Sequence, residues 1–288
     1  MKVKARWLGL AVCLLLGTAI ALAQQAAPAP QPLTFWYAYS VKPGMEAEFM
    51  NLVKTIGEPV RDKLMADGVV QAWGVEQLLL RGPDTHTHLI WFSVNDYSGV
   101  EKVITAMPPQ IAKVDAEMAK AAAADPKKKA MTTAERAASI YDGSKTRDYL
   151  SRDIISAGTD KIPPAGTLPW TRYNFNKVKP GMGNAWRALW EKYNKPVFDK
   201  LVADGTVLAY GVSVEDLKTD SNFTHFVWYA CKDLSGFDKV RAALGADRNR
   251  RSQEERDSIA AQFGALTEPD AVRNYISRSL IFKVAGMK

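Results

Sequence analysis

Apolar residues recur along the chain in two rhythms, and the rhythms alternate in a fixed order. After Pro43-Gly44, apolar side chains fall at Phe49, Leu52, Val53, Ile56, Val60 and Leu64. That i, i+3, i+4, i+7 spacing predicts a helix with one buried stripe. The same stripe returns at Trp186, Leu189, Trp190, Tyr193, Val197 and Leu201. Pro59 and Pro196 lie inside the two stripes, so a kink is expected in each helix. Asp67-Gly68 and Asp204-Gly205 close them, with glycine supplying the left-handed residue of a C-terminal cap. Short runs rich in β-formers precede each helix at residues 33–41 and 170–178. Two more follow each helix, at 69–77 and 87–94 in one case and at 206–214 and 224–231 in the other. Asp96 and Asp233, each opening an Asp-x-Ser-Gly stretch, predict the N-caps of a second helix. A last strand is expected at 149–155 and again at 275–281.

The rhythms repeat because the sequence does. Residues 41–103 align without a gap on 178–240, and 27 of the 63 positions are identical. The offset is 137 residues there and 126 at the last strand. The first copy therefore carries 11 extra residues, placed near 121–130 in an Ala- and Lys-rich piece that reads as a solvated helix end or loop. An internal duplication fixes the unit of folding. Here the unit is β-α-β-β-α-β, the ferredoxin-like split motif, an α+β fold with both helices on one face of an antiparallel sheet. The other face is too apolar to be wetted, and two such sheets in one chain can cover each other. In this arrangement the sequence resembles the dimeric α/β-barrel superfamily, in which two ferredoxin-like units pack sheet to sheet. That group includes the antibiotic-biosynthesis monooxygenase, stress-responsive barrel, NIPSNAP, EthD and chlorite-dismutase-like families. The resemblance rests on element order and pairing, and implies an intramolecular version of that dimer. The expected units are repeat 1 at 33–160, a linker at 161–169 and repeat 2 at 170–288.

The N-terminus stands outside this scheme. Lys2, Lys4 and Arg6 precede 17 uncharged residues, 7–23, which end in Ala21-Leu22-Ala23. This is the pattern of a cleavable signal peptide, cut after Ala23, and it predicts a periplasmic or secreted protein with no membrane segment left after cleavage. Residues 24–32, only Gln, Ala and Pro, read as a disordered linker. Without residues 1–23 the chain carries 35 basic and 31 acidic residues. So mild an excess gives no sign of a nucleic-acid partner. Cys231 is then the one remaining cysteine, and no intrachain disulfide can form.

Strand alternation divides side chains between two faces. The small residues Val70, Ala72 and Gly74, matched by Val207, Ala209 and Gly211, suit close packing beneath helices. Their neighbours Gln71, Trp73 and Val75, with Leu208, Tyr210 and Val212, are then expected to look into the barrel. On the first strand, Phe35, Tyr37 and Tyr39 are replaced in the second copy by Arg172, Asn174 and Asn176. If that face also lines the interior, one half of the cavity is aromatic and the other polar with a cation; the alternative is a solvated strand end. The Thr-His-x-x-Trp repeat puts His88 and His225, two of three histidines, at equivalent positions. An imidazole there can act as base, ligand or anion donor, or can be a hydrogen-bonded core residue. Arg152 and Arg278 sit on apolar strands and require a carboxylate, carbonyl or ligand anion.

No HExxH, GxSxG, CxxC or P-loop occurs, and no metal site is predicted. Trp73, Tyr210, Tyr37, Tyr39, His88, His225, Arg172, Asn174, Asn176, Arg152 and Arg278 are the ligand-binding candidates. The expected function is binding of a small aromatic or carboxylated molecule in the lumen. By resemblance, related barrels include cofactor-independent oxygenases, isomerase-like enzymes and haem proteins. No cofactor is predicted from the residues themselves, and the resemblance leaves haem open. The competing reading is a non-catalytic exported scaffold that binds a protein partner. Oligomeric state is not legible.

Overall fold

The computed structural model describes residues 31–80, 86–125, 131–159, 164–217, 219, 222–269 and 272–287. The signal-peptide expectation, most of the linker expected at 24–32 and part of the Lys-rich insertion lie outside them. The first half runs β1 (Leu33–Tyr39), α1 (Glu46–Leu52), a π-helical turn (Val53–Gly57), α2 (Glu58–Ala66), β2 (Val70–Leu78) and β3 (His88–Val94). It continues through α3 (Tyr97–Ala124), α4 (Thr133–Ile140) and β4 (Arg147–Gly158). The second half repeats the order as β5 (Trp170–Asn176), α5 (Gly183–Tyr193), α6 (Lys195–Ala203), β6 (Ala209–Glu215) and β7 (His225–Cys231). It ends with α7 (Leu234–Asn249), α8 (Gln253–Leu266) and β8 (Arg273–Val284).

Local signals produce these elements. The expected kinks are present in both copies, because proline removes a helical N–H and crowds the preceding turn. The first copy absorbs Pro59 with the π-helical turn just before it, and the second breaks at Asn194, two residues before Pro196. Gly68 and Gly205 end the paired helices with φ of 75° and 77°. Asp96 and Asp233 accept from the backbone N–H of Gly99 and Gly236, capping α3 and α7.

All eight strands form one closed antiparallel barrel in the order β1-β3-β2-β8-β5-β7-β6-β4. Closure depends on β4 and β8, which are 12 residues long. Arg147–Arg152 of β4 pairs with β1, and Ser151–Gly158 pairs with β6 of the other half, across a register shift between Asp153 and Ile155. β8 does the same between β5 and β2. Each half would otherwise expose the open edges of a four-stranded sheet, and the exchange of strand ends removes them.

Two apolar layers lie outside the barrel, between strands and helices, and a third fills its middle. Trp73, Phe92, Val75, Phe49 and Ile56 anchor the first outer layer, and Tyr210, Tyr229, Trp186, Trp190 and Phe198 the second. Ala38, Leu89, Tyr173 and Phe226 form the lumen cluster, with Trp36, Tyr149, Phe175 and Tyr275 packed on it.

This partition reverses the expected faces. Trp73 and Tyr210 lie under the helices, where their polar tips donate to Asp62 (3.0 Å) and Asp199 (2.5 Å). Gly74 and Gly211 face inward because indoles cross over them. A Cβ on Gly74 would sit 2.9 Å from Trp91, and one on Gly211 2.6 Å from Trp228. The small residues make room for inward tryptophans, not for helices. β1 is likewise inverted: Tyr37 and Tyr39 join the outer layer, while Thr34, Trp36 and Ala38 line the interior.

Candidate functional site

The lumen is divided into two chambers that share Trp36 and Tyr173 as common walls. The two rings meet edge-on, with centroids 5.8 Å apart and planes at 89°. They occupy equivalent positions of β1 and β5, so the duplication itself builds the partition.

The wider chamber, about 760 Å³, opens among the C-terminal ends of β1 and β5 and the N-terminal ends of β3, β4, β7 and β8. Phe175, Phe223, Phe226, Tyr149 and Tyr275 make it strongly aromatic. The Phe175 and Phe223 rings have centroids 4.7 Å apart and planes at 61°. Lys145, Arg147 and Arg273 stand at its exposed edge, and no carboxylate is among its described walls. His86 also lines it, 5.5 Å from the Tyr275 ring, and burial pushes its imidazole down to about 4. It is therefore neutral at physiological pH. Burial likewise raises the Tyr149 hydroxyl, partly opposed by Arg147.

The narrower chamber, about 300 Å³, lies towards the other end of the barrel and contains two carboxyl groups. Glu76, 2% exposed, accepts from Trp91 Nε1 at 2.9 Å, from Tyr173 OH at 2.9 and 3.0 Å and from Ser277 Oγ at 2.5 Å. Burial pushes its carboxyl above the usual carboxylate range, and the three donors pull the other way. Asp153 accepts from Ser213 Oγ, which in turn accepts from Trp228 Nε1 at 3.2 Å. Burial pushes Asp153 up to about 6.

None of the eleven residues singled out from the sequence lines either chamber among the described walls. His88 is fully buried against Phe49, ring centroids 4.9 Å apart, and His225 packs 5.2 Å from Trp186. Each holds a strand junction together through its threonine. Thr87 Oγ1 accepts from Val41 N at 2.9 Å and lies 2.9 Å from His88 Nδ1. Thr224 repeats this with Val178 and His225 at the same distances. Burial lowers His225 to about 4. Arg172 sits opposite Tyr229 on the helix side of β5, the face it shares with Asn174 and Asn176 by alternation. Arg152 pairs with Asp216 of the other half at 2.9 Å, and Tyr97 OH donates to the same carboxylate. Arg278 lies over Trp170, 5.8 Å from the ring centre.

The interior acids had a signal in the alignment of the copies. Glu76 faces Ser213 across the duplication, and Asp153 faces Ser279. A carboxylate kept in one copy of an apolar strand and replaced by a small hydroxyl in the other marks a burial tolerated for a reason.

No known protein family matches the sequence, and neither does any curated protein. Solved structures share the architecture. A "putative monooxygenase" from Fusobacterium nucleatum superposes with a TM-score of 0.57 at 14% identity, over 90% of this chain and 96% of that one. A "putative monooxygenase" from Lactobacillus acidophilus gives 0.53 at 7% identity, over 89% and 97%. A heme-binding protein from Thermus thermophilus gives 0.50 at 10%, over 89% and 96%. The protein has the fold of the dimeric α/β-barrel superfamily. Both ferredoxin-like halves of its barrel reside in one polypeptide.

Proposed function

We propose that the protein is exported and binds a flat, anionic organic molecule in the wider chamber. The single observation that carries this reading is the pairing of Lys145, Arg147 and Arg273 at the edge with an aromatic interior containing no carboxylate among its described walls. A ligand pocket of this kind supplies apolar area for affinity and a few convergent charges for orientation. Guanidinium groups meet a carboxylate through paired N–H donors, and the interaction strengthens where water is excluded. Trp36 and Tyr173 would form the floor on which the ring system rests.

Titration calorimetry with 2-naphthoate tests the reading, with 2-naphthylmethanol as the uncharged control. Naphthoate should bind, and an Arg147→Ala/Arg273→Ala variant should bind it about tenfold or more weakly. Equal affinity for the alcohol, or no loss in the variant, would remove the site. Export rests on the basic and apolar start of the chain; mass spectrometry of the periplasmic fraction should find a mature protein beginning at Gln24.

Haem is a specific member of the same ligand class, and one solved relative is described as binding it. An axial donor and partners for its carboxylates are the requirements. His86 is the one histidine on the chamber wall and is neutral, and the three cations suit the propionates. The donor set therefore fits, and a bound haem would supply redox chemistry. A Soret band in the purified protein that disappears in His86→Ala would favour haem over a cofactor-free ligand. A colourless protein that takes up no aromatic acid would favour the scaffold reading.

A further inference from the structure

The narrower chamber has the opposite chemistry from the wider one. Glu76 and Asp153 both face it, and no Lys, Arg or His is among its described walls. Every hydrogen-bond donor identified above for these two acids is neutral: Trp91, Tyr173 and Ser277 for Glu76, and Ser213 for Asp153. Two carboxyl groups enclosed without a cation are costly to fold around. The acids come from different halves and neither was kept in duplicate, so both were acquired or retained singly around one void. Ser279, the counterpart of Asp153, adds a buried hydroxyl with no hydrogen-bond partner among the described residues, opposite Glu76 in register. The remaining walls that matter are Trp36, Trp91, Trp228 and Tyr173. Indole and phenol faces attract cations, and most strongly where water is excluded.

We propose that the narrower chamber is a second binding site, selective for a small organic ammonium ion. Asp153 receives the ammonium N–H groups, Glu76, its oxygens held by Trp91, Tyr173 and Ser277, adds the second negative charge, and the indoles of Trp91 and Trp228 enclose the hydrocarbon part. A void of about 300 Å³ accepts one ring with a short aminoalkyl arm. The lumen is then bipolar, with an anion site at one end and a cation site at the other, separated by the Trp36–Tyr173 partition.

The probe is 2-phenylethylamine, titrated into the full-length mature protein, with 2-phenylethanol and phenylacetate as controls. Binding is followed by calorimetry and by the indole Nε1–H resonances of ¹⁵N-tryptophan-labelled protein. The amine should bind and shift the Trp91 and Trp228 signals. Asp153→Asn should weaken it about tenfold or more, and Lys63→Ala, at an exposed position of α2, should leave it unchanged. Asp153→Ser, which places the second copy's residue here, repeats the test if the amide variant folds poorly. Failure of the amine to bind, equal binding of the alcohol, or full affinity in both Asp153 variants would overturn the proposal. Loss of naphthoate binding in Arg147→Ala/Arg273→Ala reads the other chamber alone, so either site can fail without the other.

Discussion

Arg61 is the residue whose environment is least satisfied. It is 4% exposed on the buried face of α2, stacked 5.6 Å from the Trp73 ring, and its Nε and Nη1 have no hydrogen-bond partner among the described residues. The second copy has Phe198 at this position, packed on Trp190 and Tyr210. A buried charge without a partner costs several kcal/mol of desolvation, which an apolar side chain of similar volume does not carry. Arg61→Met should therefore raise the melting temperature, measured by circular dichroism; a clear fall would mean that the guanidinium has a partner in solution. Asp153 gives a signed pH effect. Its folded value of about 6 exceeds the ordinary 3.8, so the native state holds a proton in that window and the unfolded chain does not. The favourable contribution is complete below pH 3.8 and is lost as pH rises through about 6. Asp153→Asn should gain about 1–3 kcal/mol over wild type at pH 7.5 and much less at pH 4, read from denaturant titrations at both values. At this scale the sequence was readable in kind but not in direction. A strand has only two faces, and here both are dry, one against helices and one against aromatic lumen walls. Periodicity of two separates Trp73 from Gly74 but cannot say which side holds the helix. The indoles of Trp91 and Trp228, arriving from the neighbouring strand over glycine, decide it.

Elements were far more legible than faces. Pro59, Pro196, Gly68, Gly205, Asp96 and Asp233 each act within a few residues, so their kinks and caps follow from local chemistry alone. The Thr-His repeat is an element-scale device of a different sort. Its threonine hydroxyl ties the second residue after β1 or β5 to the residue just before β3 or β7, and its histidine wedges the joint against the first helix of each half. The chemistry of histidine suggested a ligand site, whereas the duplicated geometry is a duplicated joint. Thr87→Val keeps the shape but leaves the Val41 N–H and the His88 ring nitrogen without their oxygen. It should cost about 1–3 kcal/mol, and Thr224→Val a similar amount. Thr87→Ser should restore most of it. If the valine variants melt with the wild type, the joint contributes nothing.

At the scale of the whole molecule, the repeat and the apolar uncovered sheet faces together led to the barrel. How the sheets close was not legible, because it depends on β4 and β8 bending at register shifts to pair across halves. That exchange makes the halves interdependent. Calorimetry should show one cooperative unfolding transition, with equal van't Hoff and calorimetric enthalpies; two separate transitions would mean that each half is stable alone. The same closure creates an interior that neither half possesses. Trp36 comes from one copy and Tyr173 from the other, and the rim cations are contributed by β4, β8 and the turn before β4. In the proposed function, ligand enters that interior. A crystal structure of the protein with 2-naphthoate tests it most directly. The ring should lie inside the barrel on Trp36 and Tyr173, with its carboxylate at Arg147 and Arg273. A ring found in the outer layer beside His88 or His225, between strands and helices, would contradict it.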